Sequence, residues 1–157
     1  MRDLTELGFF LERELDHCEL LQVILLKERE IIEQRTLSDL PKILQQKADL
    51  LSSIENTHTQ KAKWLNERDL PANLAKLSEQ EKNNPHLGQC AELWTKLNQA
   101  KQQCNESNTV NGIIIAKTRK RNGEQLDVLK GVKVNNPLYD AAGKSTGGSG
   151  KGDTRLA

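Results

Sequence analysis

Apolar residues recur at every third or fourth position through the first 68 residues, with a single break. The stripe runs through Leu4, Leu7, Leu11, Cys18, Leu21, Leu25 and Ile32, pauses over residues 35–39, and resumes at Leu40, Leu44, Leu51, Ile54 and Leu65. This period marks amphipathic helix, and each apolar face must be buried against something; the nearest candidate is the other half of a hairpin. Where the stripe is interrupted it says more. Continuing the spacing puts Glu14 and Glu28 at seam positions in the first helix, and Lys47, His58 and Lys61 in the second. If the chain turns over residues 36–38, facing residues have numbers that add to about 75 or 76. Leu11 then meets Leu65, Cys18 meets His58, Leu21 meets Ile54 and Leu25 meets Leu51. The same rule sets Glu28 against Lys47 and Glu14 against Lys61. Polar layers of this kind fix register in helix pairs at some loss of stability. The alternative is that these long side chains snorkel outward from the edge of the stripe.

A chain of 157 residues is one domain's worth. Charged residues make up 29% and aromatics only 3%, with a mean hydropathy of −0.67. That balance suits an elongated helical protein with a thin core better than a compact enzyme with a lined pocket. The net charge of +1 hides an asymmetry: residues 1–70 carry ten Lys and Arg against fourteen Asp and Glu, and residues 71–157 carry thirteen against eight. The basic excess includes Lys117, Arg119, Lys120 and Arg121. Such a run attracts phosphate or an acidic partner, and it is also what the last turns of a helix carry. No aromatic residues are interleaved with it, so nucleic-acid binding is not indicated. Three cysteines, without a CxxC pair, point to a reducing compartment. The first residues are acidic and lack an apolar signal core, and no stretch approaches the length of a membrane span. The expectation is a cytoplasmic protein without membrane insertion.

Taken in order, the pattern predicts a first helix over residues 3–35, its opening turns frayed by Gly8, with Phe10 covered by a third helix. A second helix starts at a Ser38 or Asp39 cap, with Pro41 in its first turn, and stops before Pro71. Residues 69–86 form a connection with a short helix over about 73–82. A third long helix covers about 85–121, with Leu87, Cys90, Trp94, Leu97, Cys104, Asn108, Asn111, Ile114, Ile115 and Thr118 on its seam. Asn108, Asn111 and Gly112 weaken that helix. The asparagines either bond to the other helices or leave a groove where a partner helix enters. Leu126, Val128 and Leu129 suggest a two-turn helix, and residues from about 131 onward read as a mobile Gly/Ser/Lys tail. The predicted fold is all-α: a long antiparallel hairpin plus a third long helix in an elongated three-helix bundle over residues 1–121, then a short fourth helix and flexible tail over 122–157.

Chemistry-bearing motifs are scarce. Gly143, Lys144 and Ser145 resemble the end of a phosphate-binding loop, but Leu138 stands where that loop needs its first glycine. Cys18 and His58 share a seam layer, yet two ligands do not make a zinc site. No acid, base and nucleophile come together, so neither catalysis, a metal nor a cofactor is indicated. Tyr139, the only tyrosine, stands in an otherwise featureless tail, as a docking anchor or as a residue that folds back on the bundle.

The pattern as a whole resembles the FlgN family of flagellar export chaperones over about residues 4–143. The resemblance is carried by Leu21, Leu25, Leu26, Glu28, Ile31 and Ile32, by Leu40, Lys47, Leu50, Leu51 and Ile54, and more specifically by the run from Asn108 through Thr109, Val110, Asn111, Gly112, Ile113 and Ile114. The tail stretch Tyr139, Asp140, Ala141, Ala142 and Gly143 is similar to that family's tail motif. The resemblance implies a cytoplasmic chaperone without ATP use that binds FlgK- and FlgL-type hook–filament junction proteins through an amphipathic C-terminal helix of the client. It implies delivery to the flagellar type III export gate. It places client contacts toward the C-terminal part: Asn111, Ile114, Ile115, Thr118, Leu126 and Leu129, with Tyr139 beyond them. The competing readings are a coiled-coil scaffold that self-associates, and nucleic-acid binding through the basic run at 117–121.

Overall fold

The computed structural model describes residues 2–122, which are mostly helical and contain no strand. Helix α1 spans Thr5–Gln34, α2 Leu40–Glu67, α3 Leu74–Gln80 and α4 Leu87–Asn122. At 1.5 Å per residue, α1 is roughly 45 Å long and α4 roughly 54 Å. The hairpin and third long helix form the elongated bundle expected. The two-turn helix and tail expected after residue 122 lie outside the described residues.

Asp3 accepts a bond from the Thr5 backbone N–H (2.9 Å) and so starts α1. The helix then runs through Gly8 without fraying, because Leu4, Leu7 and Leu11 are fully buried and outweigh the ~1 kcal/mol that a helical glycine costs. It ends at Arg35, whose left-handed backbone (φ 58°) lets the N–H groups of Arg35 and Thr36 close on the Ile32 and Ile31 carbonyls. A 3-10 turn, Leu37–Asp39, leads into α2. Pro41 falls in the first turn as expected, but no side chain caps this helix: Asp39 has near-helical backbone, and the turn's own backbone bonds do the work.

The connection folds onto the N-terminal end of the bundle. Asn73 caps α3 by accepting from the Lys76 N–H (3.1 Å), and Leu77 is fully buried. The Asn84 side chain donates to the Arg2 carbonyl (2.7 Å) and accepts from the His86 N–H (3.0 Å), pinning the turn before α4.

Two constant relations define the packing. Ion pairs Glu14–Lys61 and Glu28–Lys47 both join residues whose numbers add to 75, so α2 runs antiparallel to α1. Three bonds from α4 to α1 carbonyls join residues 86 apart: Cys90 to Leu4, Cys104 to Cys18, and Asn111 to Leu25. A constant difference means that α4 runs parallel to α1. Helix α1 is therefore central and packs along both of the others. One apolar cluster fills the bundle from Leu4 to Leu25, and a smaller one of Ile31, Ile32, Leu40, Ile43 and Ile115 closes the hairpin end. Phe10 packs against the main cluster and meets Trp64 of α2 edge to face, at 6.4 Å between ring centres.

Candidate partner-binding surface

Two polar layers, two heptads apart on α1 and on α2, cross the core. In the first, Glu14 is fully buried, with Lys61 Nζ at 2.7 Å and Lys101 Nζ at 3.1 Å. His58 Nδ1 lies 3.9 Å from the same carboxylate. These contacts are ion pairs, and their angles fall outside hydrogen-bond alignment. The Lys61 ammonium also lies 5.4 Å from the centre of the Trp94 ring, a second favourable partner for a desolvated cation. Burial raises the Glu14 carboxyl, but Lys61 and Lys101 more than offset it and hold the group below the usual range. Burial pushes Lys61 down, and burial with the nearby Lys61 charge does the same to His58.

The second layer is hydrogen-bonded throughout. Lys47 donates to both Glu28 oxygens (3.2 and 3.3 Å) and to Asn108 Oδ1 (2.8 Å). Asn111 donates to Glu28 (2.7 Å) and to the Leu25 carbonyl, and accepts from Arg29 Nε (2.9 Å). Of the two readings of Asn108 and Asn111, the bonded one is formed. Both predicted Glu–Lys pairs form as well. On α4, Lys101 and Ser107 are the buried polar residues that the seam left out. Lys101 could have been found, because Trp94, Leu97, Lys101 and Cys104 keep the 3–4 spacing that picked out Lys47 and Lys61.

Neither layer offers reactive chemistry. Burial pushes the Cys18 thiol up to about 11 and the Cys104 thiol to about 12, so both stay protonated at neutral pH. Among the described residues no group of His, Cys, Asp and Glu is arranged to hold a metal ion. No helix among them is long and apolar enough to cross a membrane.

The outer face of α4 is where contact chemistry is available. Asn111 is 1% exposed and committed to α1, and Ile115 is buried in the hairpin-end cluster. Ile114 packs half-buried against the same cluster, and Thr118 is half-buried. Leu126, Leu129 and Tyr139 lie outside the described residues. Val110 and Ile113, which the seam did not include, stand 40% and 50% exposed. On α1, Gln22 and Arg29 reach across to Ser107 and Asn111 and so mark the flank facing α4. Leu26, exposed, lies four residues after Gln22 and three before Arg29. Val110 and Ile114 follow Ser107 and Asn111 by three residues each. Helical spacing thus puts Leu26, Val110 and Ile114 along one open flank of the α1–α4 pair, and Ile113 extends it outward. The basic run ends α4, where Arg119, Lys120 and Arg121 occupy the last turn and complement the helix dipole.

The sequence model of the FlgN protein family matches residues 1–147. No curated protein matches the chain significantly. Among solved structures, the crystal structure of a flagella synthesis protein FlgN from Pseudomonas aeruginosa superposes with a TM-score of 0.68. The match covers 76% of this chain and 94% of that one at 20% sequence identity, and it speaks to the fold alone.

Proposed function

The chain belongs to the FlgN family, a family of flagellar export chaperones, and we propose that it is a cytoplasmic chaperone for hook–filament junction proteins of the FlgK and FlgL type, handing them to the flagellar export gate. The client's amphipathic C-terminal helix lies along the second half of α4. It is read by apolar contacts at helical spacing through Ile114, Thr118, Leu126 and Leu129, with Val110 and Ile113 alongside. Asn111 and Ile115 act from beneath, by holding this part of α4 against α1. Tyr139 supplies an aromatic anchor in the segment beyond. The observation that carries this reading is the exposed apolar row Val110 and Ile113 on a helix whose opposite face is fully engaged.

Titration calorimetry with a C-terminal fragment of a junction protein tests it. A one-to-one complex is expected for the full chain. Ile113→Asp, and separately the double variant Leu126→Asp with Leu129→Asp, are expected to weaken it at least about tenfold, with helical content by circular dichroism unchanged. Full affinity in both variants would move the client site onto the hairpin. No binding to either junction protein would remove the chaperone reading for these clients.

A further inference from the structure

Asparagine is followed by glycine twice in the sequence, at Asn111–Gly112 and at Asn122–Gly123. In this dipeptide the asparagine carboxamide is most open to attack by the next backbone nitrogen, because glycine has no side chain to shield that nitrogen and leaves the backbone free to turn. At 111 the fold opposes the reaction. Asn111 is 1% exposed; its carboxamide donates to the Leu25 carbonyl (2.8 Å) and to Glu28 (2.7 Å), and accepts from Arg29 Nε (2.9 Å). A helical side chain leans toward the N-terminus of its helix, so this group is turned away from the Gly112 nitrogen. That nitrogen's own proton points at the Asn108 carbonyl in the helix ladder.

Packing gives no reason for the glycine. A Cβ at 112 would meet nothing within 4 Å, and a glycine inside a helix costs ~1 kcal/mol against alanine. The asparagine, by contrast, is built into the contact between α1 and α4. Every group it touches outside its own helix belongs to α1. Parting the two helices therefore removes all of the restraints on its carboxamide except those of α4 itself.

We propose that Asn111–Gly112 is a self-modification site, shut while α4 lies on α1 and reactive once this part of α4 detaches and unwinds. The Gly112 nitrogen gives up its proton and bonds to Asn111 Cγ; the bond from Cγ to the amide nitrogen breaks, and that nitrogen leaves as ammonia. Water then opens the resulting five-membered imide at either carbonyl. The product is aspartate at 111, or its isomer in which the backbone runs through the side-chain carbon. No redox partner is needed, since one water is consumed and one ammonia released. The acid cannot resume the old contacts. It sets a second carboxylate against Glu28, whose cation is Lys47, and an acceptor against the Leu25 carbonyl. The isomer also lengthens the chain inside a helix. A molecule that has opened for long enough is thus marked permanently and held from closing. The proposal does not rest on the chaperone reading.

Peptide mapping by mass spectrometry tests it, on the full chain incubated at mildly alkaline pH in buffer and in urea. In urea the two Asn–Gly pairs are expected to convert alike. In buffer Asn111 is expected to convert at least about tenfold more slowly than in urea, since only the open fraction reacts. Arg29→Ala, which removes one restraint on the carboxamide, is expected to raise the rate in buffer and leave the rate in urea unchanged. The product is tested separately with Asn111→Asp, expected to lower the urea midpoint; adding Glu28→Gln, which exchanges acid and amide across the contact, is expected to restore most of that loss. No conversion at Asn111 in urea would overturn the site. Equal rates in buffer and urea, or a rate in buffer indifferent to Arg29→Ala, would overturn the gate. A double variant no more stable than Asn111→Asp alone would overturn the clash with Glu28 as what holds the helices apart.

Discussion

Glu14 is the residue on which most of the bundle's charge balance depends. It is fully buried, and two buried ammonium groups rely on its carboxylate. Glu14→Gln leaves both cations without a counter-charge in the core, and is expected to cost about 3–5 kcal/mol, read from urea denaturation. Replacing the whole layer, with Glu14→Leu, Lys61→Met and Lys101→Met together, is expected to leave stability unchanged or raise it, because no charge is then desolvated. This layer was half legible. Glu14 and Lys61 stood at matching seam positions, so their pairing followed from counting. Lys101 keeps the same phase on α4, but the seam drawn from apolar residues passes from Leu97 to Cys104 without it.

At the scale of elements, α4 shows how side-chain bonding overrides local propensity. Asn111 and Gly112 would ordinarily mark a turn. Here the Asn111 side chain is consumed by the Leu25 carbonyl, Glu28 and Arg29, and the helix passes through unbroken to Asn122. The glycines remain local weak points with room to spare. A Cβ at Gly8 would meet Cys90 Sγ at 4.0 Å, an ordinary contact, and one at Gly112 meets nothing within 4 Å. Gly8→Ala and Gly112→Ala are each expected to stabilise the protein by about 0.4–1 kcal/mol, mainly by restricting the unfolded chain, seen as a higher urea midpoint with an unchanged slope. The start of α2 erred in the opposite sense: Ser38 and Asp39 are good capping residues, but the 3-10 turn before the helix satisfies its end through the backbone.

For the whole molecule, acid is the destabilising direction. The Glu14 carboxyl is held below its usual 4.5, so its contribution is present above that value and is lost as pH falls through the folded one. His58 is held below its usual 6.5, so on acidification the unfolded chain takes up this proton first, and folding loses ground already below about 6.5. Stability is expected to fall in two stages from neutral pH downward. His58→Gln is expected to flatten the first stage and leave the one below 4.5. The groups facing His58 are Glu14, Lys61 and Lys101, one from each long helix, so the response reports on the assembled bundle. The hairpin register was legible because charged partners carried complementary numbers. The direction of α4 was not, since its seam fits a parallel or an antiparallel neighbour equally well, and only the 86-residue offset between its side chains and the α1 carbonyls distinguishes them. The open flank of Val110, Ile113 and Leu26 escaped for a related reason: it belongs to two helices at once.

That 86-residue offset also orders events on the ribosome. The hairpin is complete once Glu67 has emerged, but every bond from α4 to α1 waits for residues 87–122. At roughly 5–20 residues per second, the α4-facing side of α1, from Leu4 to Ile32, stays uncovered for several seconds of synthesis. During that interval Glu14 has Lys61 but not Lys101. The nascent hairpin is thus an apolar surface awaiting its own chain, and translation pauses between codons 68 and 122 would lengthen the wait.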